Sequence, residues 1–101
     1  MELKPNMYVR TKNEIVQIDK ISNGVMEDTK GHLHFGDFIK ASHNIIDLIE
    51  VGDYVNGELV LEKVLYGNNA GVKVFGDTYF DDEIQSIVTK EQFSAMEYKI
   101  D

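Results

Sequence analysis

The second half of this 101-residue chain repeats the first. Tyr8-Val9 returns as Tyr54-Val55, and Glu14-Ile15-Val16 returns as Glu58-Leu59-Val60. Gly31, Phe35, Asp37 and Ile39 return as Gly76, Phe80, Asp82 and Ile84, each 45 positions further on. These residue types set turns and fill cores, so the duplication constrains architecture and leaves chemistry open. A half of about 45 residues sits near the lower limit for folding without disulfides or metals. The two halves are therefore expected to share a core or to self-associate.

Apolar residues recur with period two far more often than with period 3.6, the pattern of half-buried strands. In the first half this predicts strands over Met7–Arg10, Glu14–Ile21, Val25–Asp28 and His32–Phe35. Strict alternation puts Ile15, Gln17, Asp19 and Ile21 on one face of the long strand and Val16, Ile18 and Lys20 on the other. Asn23-Gly24 and Asn56-Gly57 are hairpin signals, because both residues tolerate the positive φ of a tight turn. The second half repeats the series, with a short strand over Val51–Val55, a long one over Glu58–Tyr66, and others over Ala70–Phe75, Thr78–Phe80 and Ile84–Val88.

Two Phe-x-Asp-x-Ile segments, 35–39 and 80–84, read as matching bends. Phe and Ile are expected to pack inward there, and Asp37 and Asp82 to cap the bend amides. Most of the ten aromatic residues are expected in the core. Asn44–Ile49 fits either a strand or a helical turn. Thr89-Lys90-Glu91-Gln92 is a capping box that opens a helix over 90–96, with Phe93 and Met96 on one face. Glu97–Asp101 is a polar tail that includes an edge strand. The expected fold is mainly β: two tandem small SH3-like antiparallel β modules sharing a core, with one short C-terminal helix. The modules span 1–43 and 44–101, or merge into one compact domain.

Composition narrows the chemistry. The chain has no cysteine, which removes disulfides, thiolate metal sites and a Cys nucleophile. No apolar stretch approaches the ~18 residues of a membrane span, and the first ten residues have no signal-peptide core. The reading is of a soluble, cytosolic protein. Eighteen acidic residues face ten basic ones, for a formal charge of −8, and Arg10 is the single arginine. Neutralising a duplex backbone requires clustered Lys and Arg, so duplex nucleic acid is not the expected partner. The acidic surface reads first as a solubility feature, with a basic partner or mimicry of nucleic acid as the alternatives.

Candidate chemistry is sparse. His32 and His34 lie two apart on a strand, about 6.5–7 Å along one face, and with His43 or Asp37 they are weak candidates for a divalent metal. Asp81-Asp82-Glu83 lacks the spacing of a Ca²⁺ loop. The serines occupy no nucleophile elbow, and the eight glycines are scattered at turns rather than gathered in a phosphate loop. The chain is accordingly read as non-enzymatic, with no catalytic residue and no cofactor. Tyrosines in small barrels can stack flat ligands. That makes Tyr8, Arg10, Lys12, Tyr54, Lys73 and Tyr79 the candidate ligand-binding set.

Three phrases carry a resemblance. Residues 44–57 (NIIDLIEVGDYVNG), 84–100 (IQSIVTKEQFSAMEYKI) and 6–12 (NMYVRTK) resemble phrases in small uncharacterised phage and prophage accessory proteins of Gram-positive Firmicutes. The phrases contain no catalytic motif. The resemblance implies a host-cytoplasm setting and a binding protein that acts against bacterial anti-phage immunity. Its partner would be a host defence protein, which it occludes, or a small nucleotide signal, which it sequesters as an oligomeric sponge. The alternatives are a virion structural or assembly protein, and a metal-dependent hydrolase built on His32 and His34. No membrane partner is expected, and thin halves with open strand edges point to a homo-oligomer, at least a dimer.

Overall fold

The structure is a computed structural model that describes residues 3–35 and 38–96. It is mainly β, with small antiparallel sheets and one short helix at the end of the described chain. The chain divides into two compact units, Met1–Leu48 and Ile49–Asp101. Ile45–Leu48, the segment that the sequence left open between strand and helical turn, is a 3₁₀ turn and belongs to the first unit. It is held there by Arg10, whose Nη1 donates to the Leu48 carbonyl at 2.9 Å.

The first unit contains β1 (Tyr8–Arg10), β2 (Ile15–Ser22), β3 (Val25–Asp28), β4 (Leu33–His34) and β5 (Lys40–Ser42). They form one sheet in the order β4-β3-β2-β1-β5. The β2–β3 turn is local chemistry: Asn23 and Gly24 take φ of 51° and 79°, the two positive values of a tight hairpin. The strict alternation expected along β2 fails at Asp19. Ile18 pairs with Asp28 but Lys20 pairs with Glu27, so Asp19 is an extra residue. A bulge reverses the facing of everything after it. Ile21 is thereby turned to the face of Val16 and Ile18, where it packs against the core of Met7, Val9, Ile18, Met26 and Ala41.

The first bend corrects another expectation. His34 is registered opposite Met26, and Met26 is buried, so His34 takes the inward place on β4. Period two then sends Leu33 and Phe35 outward. Phe35 and Ile39 are both exposed rather than packed inward. The expected cap at Asp37 and the tail over 97–101 lie outside the described residues.

The second unit contains β6 (Tyr54–Val55), β7 (Glu58–Leu59), β8 (Glu62–Tyr66), β9 (Asn69–Val74), β10 (Asp77–Phe80), β11 (Ile87–Val88) and α1 (Lys90–Met96). The sheets run β10-β9-β8 and β11-β6-β7. The long strand expected over Glu58–Tyr66 is broken at Val60-Leu61. Before the break it pairs with β6 and after it with β9. If β7 and β8 were joined, the order would be β10-β9-β8/β7-β6-β11, the order of the first unit. The duplication is therefore one of topology, with a bulge in one copy and a break in the other.

Register refines the sequence repeat. In the first unit Ile18 N–H donates to Met7 O and Asn6 N–H to Ile18 O. In the second, Val60 N–H donates to Asp53 O and Gly52 N–H to Val60 O. Ile18 thus answers to Val60, and Val16, paired with Val9, answers to Glu58, paired with Val55. The apparent match of Glu14-Ile15-Val16 with Glu58-Leu59-Val60 is off by two positions. The Asn56-Gly57 turn is two residues shorter than the loop 11–14 that joins β1 to β2, and an even offset preserves which face is buried.

Thr89 and Gln92 form the expected capping box. Gln92 N–H donates to Thr89 Oγ1 at 3.1 Å, and Thr89 N–H donates to Gln92 Oε1 at 3.0 Å. Asp53, fully buried, adds a carboxylate to this helix start: Oδ1 accepts from Lys90 N–H and Oδ2 from Glu50 N–H. Among the described residues no helix is long and apolar enough to cross a membrane.

Candidate functional site

The six residues proposed from sequence are not gathered into a pocket within either unit. Tyr8, Arg10 and Lys12 belong to the first unit, and Tyr54, Lys73 and Tyr79 to the second. Tyr8 is half-buried on β1, and Lys12 is exposed in the β1–β2 turn. Arg10 is only 1% exposed and its guanidinium is engaged with the Leu48 carbonyl. Tyr54 stacks on Phe93 of α1, ring centroids 4.4 Å apart. Lys73 is registered with Thr78, while Tyr79 is registered with Val72, so Lys73 and Tyr79 occupy opposite faces of the sheet. The Tyr79 hydroxyl donates to the Glu58 carboxylate. That hydrogen bond is the main reason the phenol is pushed up to about 12, because losing the proton would set two negative charges side by side.

His32 and His34 both meet Asp28. Asp28 is on the inward face of β3 and 4% exposed. Its Oδ1 accepts from the backbone N–H of Lys30 at 2.9 Å and of His32 at 3.0 Å, and Oδ2 lies 2.8 Å from His34 Nε2. His32 Nδ1 stands further off, at 3.8 Å. Burial alone raises the carboxyl, but the bonds from His34, His32 and Lys30 outweigh it and hold Asp28 below its usual range. The cluster serves as the clasp of the β3–β4 turn. Among the described residues no group of three or more His, Asp or Glu side chains is set to hold a metal ion.

The second bend is closed by Glu83 rather than Asp82: Glu83 Oε1 accepts from Phe80 N–H at 3.0 Å. The 3₁₀ turn Asp81–Glu83 is exposed throughout. Nearby chain is pinned by Asn56, whose Oδ1 accepts from Gln85 and Ser86 N–H while Nδ2 donates to Glu83 O.

What the structure does present is surface. Phe75, one of ten aromatic residues of which most were expected in the core, is 89% exposed at the tip of the β9–β10 hairpin. Leu65 and Tyr66, at the end of β8, are 69% and 58% exposed. Residues 49–101 hold eleven acidic and four basic side chains, a charge of −7, against −1 for residues 1–48. The apolar exposure and the negative charge therefore concur in the second unit. Sequence reasoning missed this because a total of −8 gives no location until the chain is divided.

No protein-family model matches this chain, and comparison with curated proteins and with solved structures finds no match. Fold and surface together define the class: a small β protein built on a duplicated topology, its second copy acidic and studded with exposed apolar side chains.

Proposed function

We propose that this chain is a non-enzymatic binding protein of phage or prophage origin that inhibits bacterial anti-phage immunity by covering a basic surface of a host defence protein. Its scaffold is a pair of SH3-like small β modules that arose by duplication, and it works in the host cytoplasm. The observation that carries the reading is the second unit, whose residues 49–101 carry a charge of −7 and which exposes Leu65 and Phe75 at opposite ends of its β8–β9–β10 sheet. An apolar anchor within a field of one sign suits a protein partner of opposite sign. The setting comes from the phage-like phrases at 44–57 and 84–100.

Covering a protein is favoured over sequestering a nucleotide. A nucleotide sponge needs cations beside its aromatic faces, whereas Arg10 is buried on the Leu48 carbonyl and the second unit, which exposes Tyr66, carries a charge of −7. The test is capture from infected host cells with tagged full chain, paired with an infection assay in an immune host. Phage should be protected by the chain, and one host protein should be enriched by it. Both effects should be lost with Phe75→Ser and Leu65→Ser together. Micromolar binding to a nucleotide panel by calorimetry, with no host protein enriched, would overturn the reading. The protein is expected to act as at least a dimer, and a sedimentation mass of 11.5 kDa at micromolar concentration would contradict that.

A further inference from the structure

On the β8–β9–β10 sheet, Val64, Gly71 and Phe80 stand in register across the three strands and so share one face. The glycine at the centre is what shapes this face. A Cβ at Gly71 would lie 3.1 Å from Phe80 Cε1 and 3.2 Å from Thr78 Cγ2. The Phe80 ring therefore rests directly on the Gly71 backbone, in the space a side chain would fill. Tyr66 leans against it, with ring centroids 6.1 Å apart and planes at 58°. Phe80 remains half-buried and Tyr66 exposed, so the pair forms an aromatic ledge open to solvent.

The surroundings of the ledge are acidic. Directly after Phe80, Asp81 and Asp82 are exposed at the same end of the sheet as Tyr66, since Phe80 pairs with Gly71 and Tyr66 with Asn69. Lys73, on the same face, has Glu62 as its cross-strand neighbour. Among polar flat groups, nucleobases and guanidinium groups both stack on aromatic rings. A unit of charge −7 repels the phosphates that accompany a base. A guanidinium has the opposite preference: it stacks on the ring face and donates in its own plane to carboxylates.

We propose that the Tyr66–Phe80 ledge is the docking site for an arginine side chain of a basic protein segment, with the carboxylates of Asp81 and Asp82 receiving the guanidinium N–H groups. This rests on the protein-covering reading above and supplies its point of contact.

The test is an amide-resolved NMR titration of the full chain with three short capped peptides, alternating glycine with arginine, lysine or glutamate. The arginine peptide should shift the amides of Tyr66, Gly71, Phe80 and Asp81. It should bind at least about threefold tighter than the lysine peptide, because an ammonium does not stack. Tyr66→Ala, and separately Asp81→Asn with Asp82→Asn, should each weaken it by about fivefold or more. Asp19→Asn, an exposed charge of the first unit, should leave it unchanged. Tyr66 is exposed, so Tyr66→Ala is expected to fold, and its amide spectrum verifies this. Equal affinity for the arginine and lysine peptides, shifts spread over acidic residues generally, no shift at millimolar peptide, or preferential binding of a single-stranded oligonucleotide at these amides would each overturn the proposal. A host protein captured as strongly by Tyr66→Ala as by the natural chain would sink the ledge and leave the proposed function standing. Peptide binding at the ledge with no host protein captured would do the reverse.

Discussion

Replacing Asp28 by alanine removes the clasp between β3 and β4, and the structure sets the size of the effect. Three donors converge on this carboxylate: Lys30 N–H, His32 N–H and His34 Nε2, all within 3.0 Å. A hydrogen bond to a charged group contributes about 1.5–3 kcal/mol net. The full sum does not apply, because Lys30 and His32 are exposed and water can take over part of their backbone bonding. His34, half-buried and facing Met26, has less recourse to water. The expected loss is about 3 kcal/mol at neutral pH, read by urea denaturation followed by circular dichroism. Asp28→Asn, which keeps an acceptor for the two backbone donors, should cost roughly half as much.

The pH dependence provides a second check. The folded carboxyl sits below its ordinary value of 3.8. Its contribution is therefore complete above the unfolded value and disappears as pH falls through the folded one. The gap between the natural chain and Asp28→Ala should hold from pH 7 downward and narrow below about pH 4. A loss under about 1 kcal/mol at pH 7, or a gap that stays constant down to pH 3, would refute the clasp.

Thr89→Ala should destabilise the chain by about 1 kcal/mol, since it removes the acceptor for Gln92 N–H in the capping box, and thermal unfolding measures this. Asn56→Ala should cost about 2 kcal/mol, because it places alanine at a φ of 53° and frees Gln85 N–H, Ser86 N–H and Glu83 O. Asn56→Gly, which relieves the backbone alone, should recover only part of the loss. In an ultraviolet titration, Glu58→Gln should bring the Tyr79 phenol down from about 12 toward the ordinary tyrosine range, and Tyr79→Phe should remove that step altogether.

Local chemistry was legible in the sequence. The Asn23-Gly24 and Asn56-Gly57 turns, the Thr89–Gln92 box and most strands of the first unit lie where residue type and spacing place them, because a turn or a cap is decided within four residues. The candidate site was much less legible. Sequence puts Arg10 in the candidate ligand-binding set, yet its guanidinium is engaged by a carbonyl 38 residues away. His32 and His34 read as metal ligands by spacing, but their common partner is a carboxylate across a turn. Phe80 and Tyr66 were two aromatics among ten; they became neighbours only when β8 and β10 flanked Gly71 on β9.

The sequence by itself determined that this is a duplicated, mainly β, cysteine-free and acidic chain, since composition, period and turn signals are properties of short windows. Tertiary structure alone decided the bulge at Asp19 and the break at Val60-Leu61, and with them which face each later side chain takes. Strand register is a bargain between segments distant in sequence: one added residue reverses a face, and its cost and benefit are settled by the core on the other side. The same pairing buried Asp28 against His34, turned Phe35 outward and laid Phe80 on Gly71.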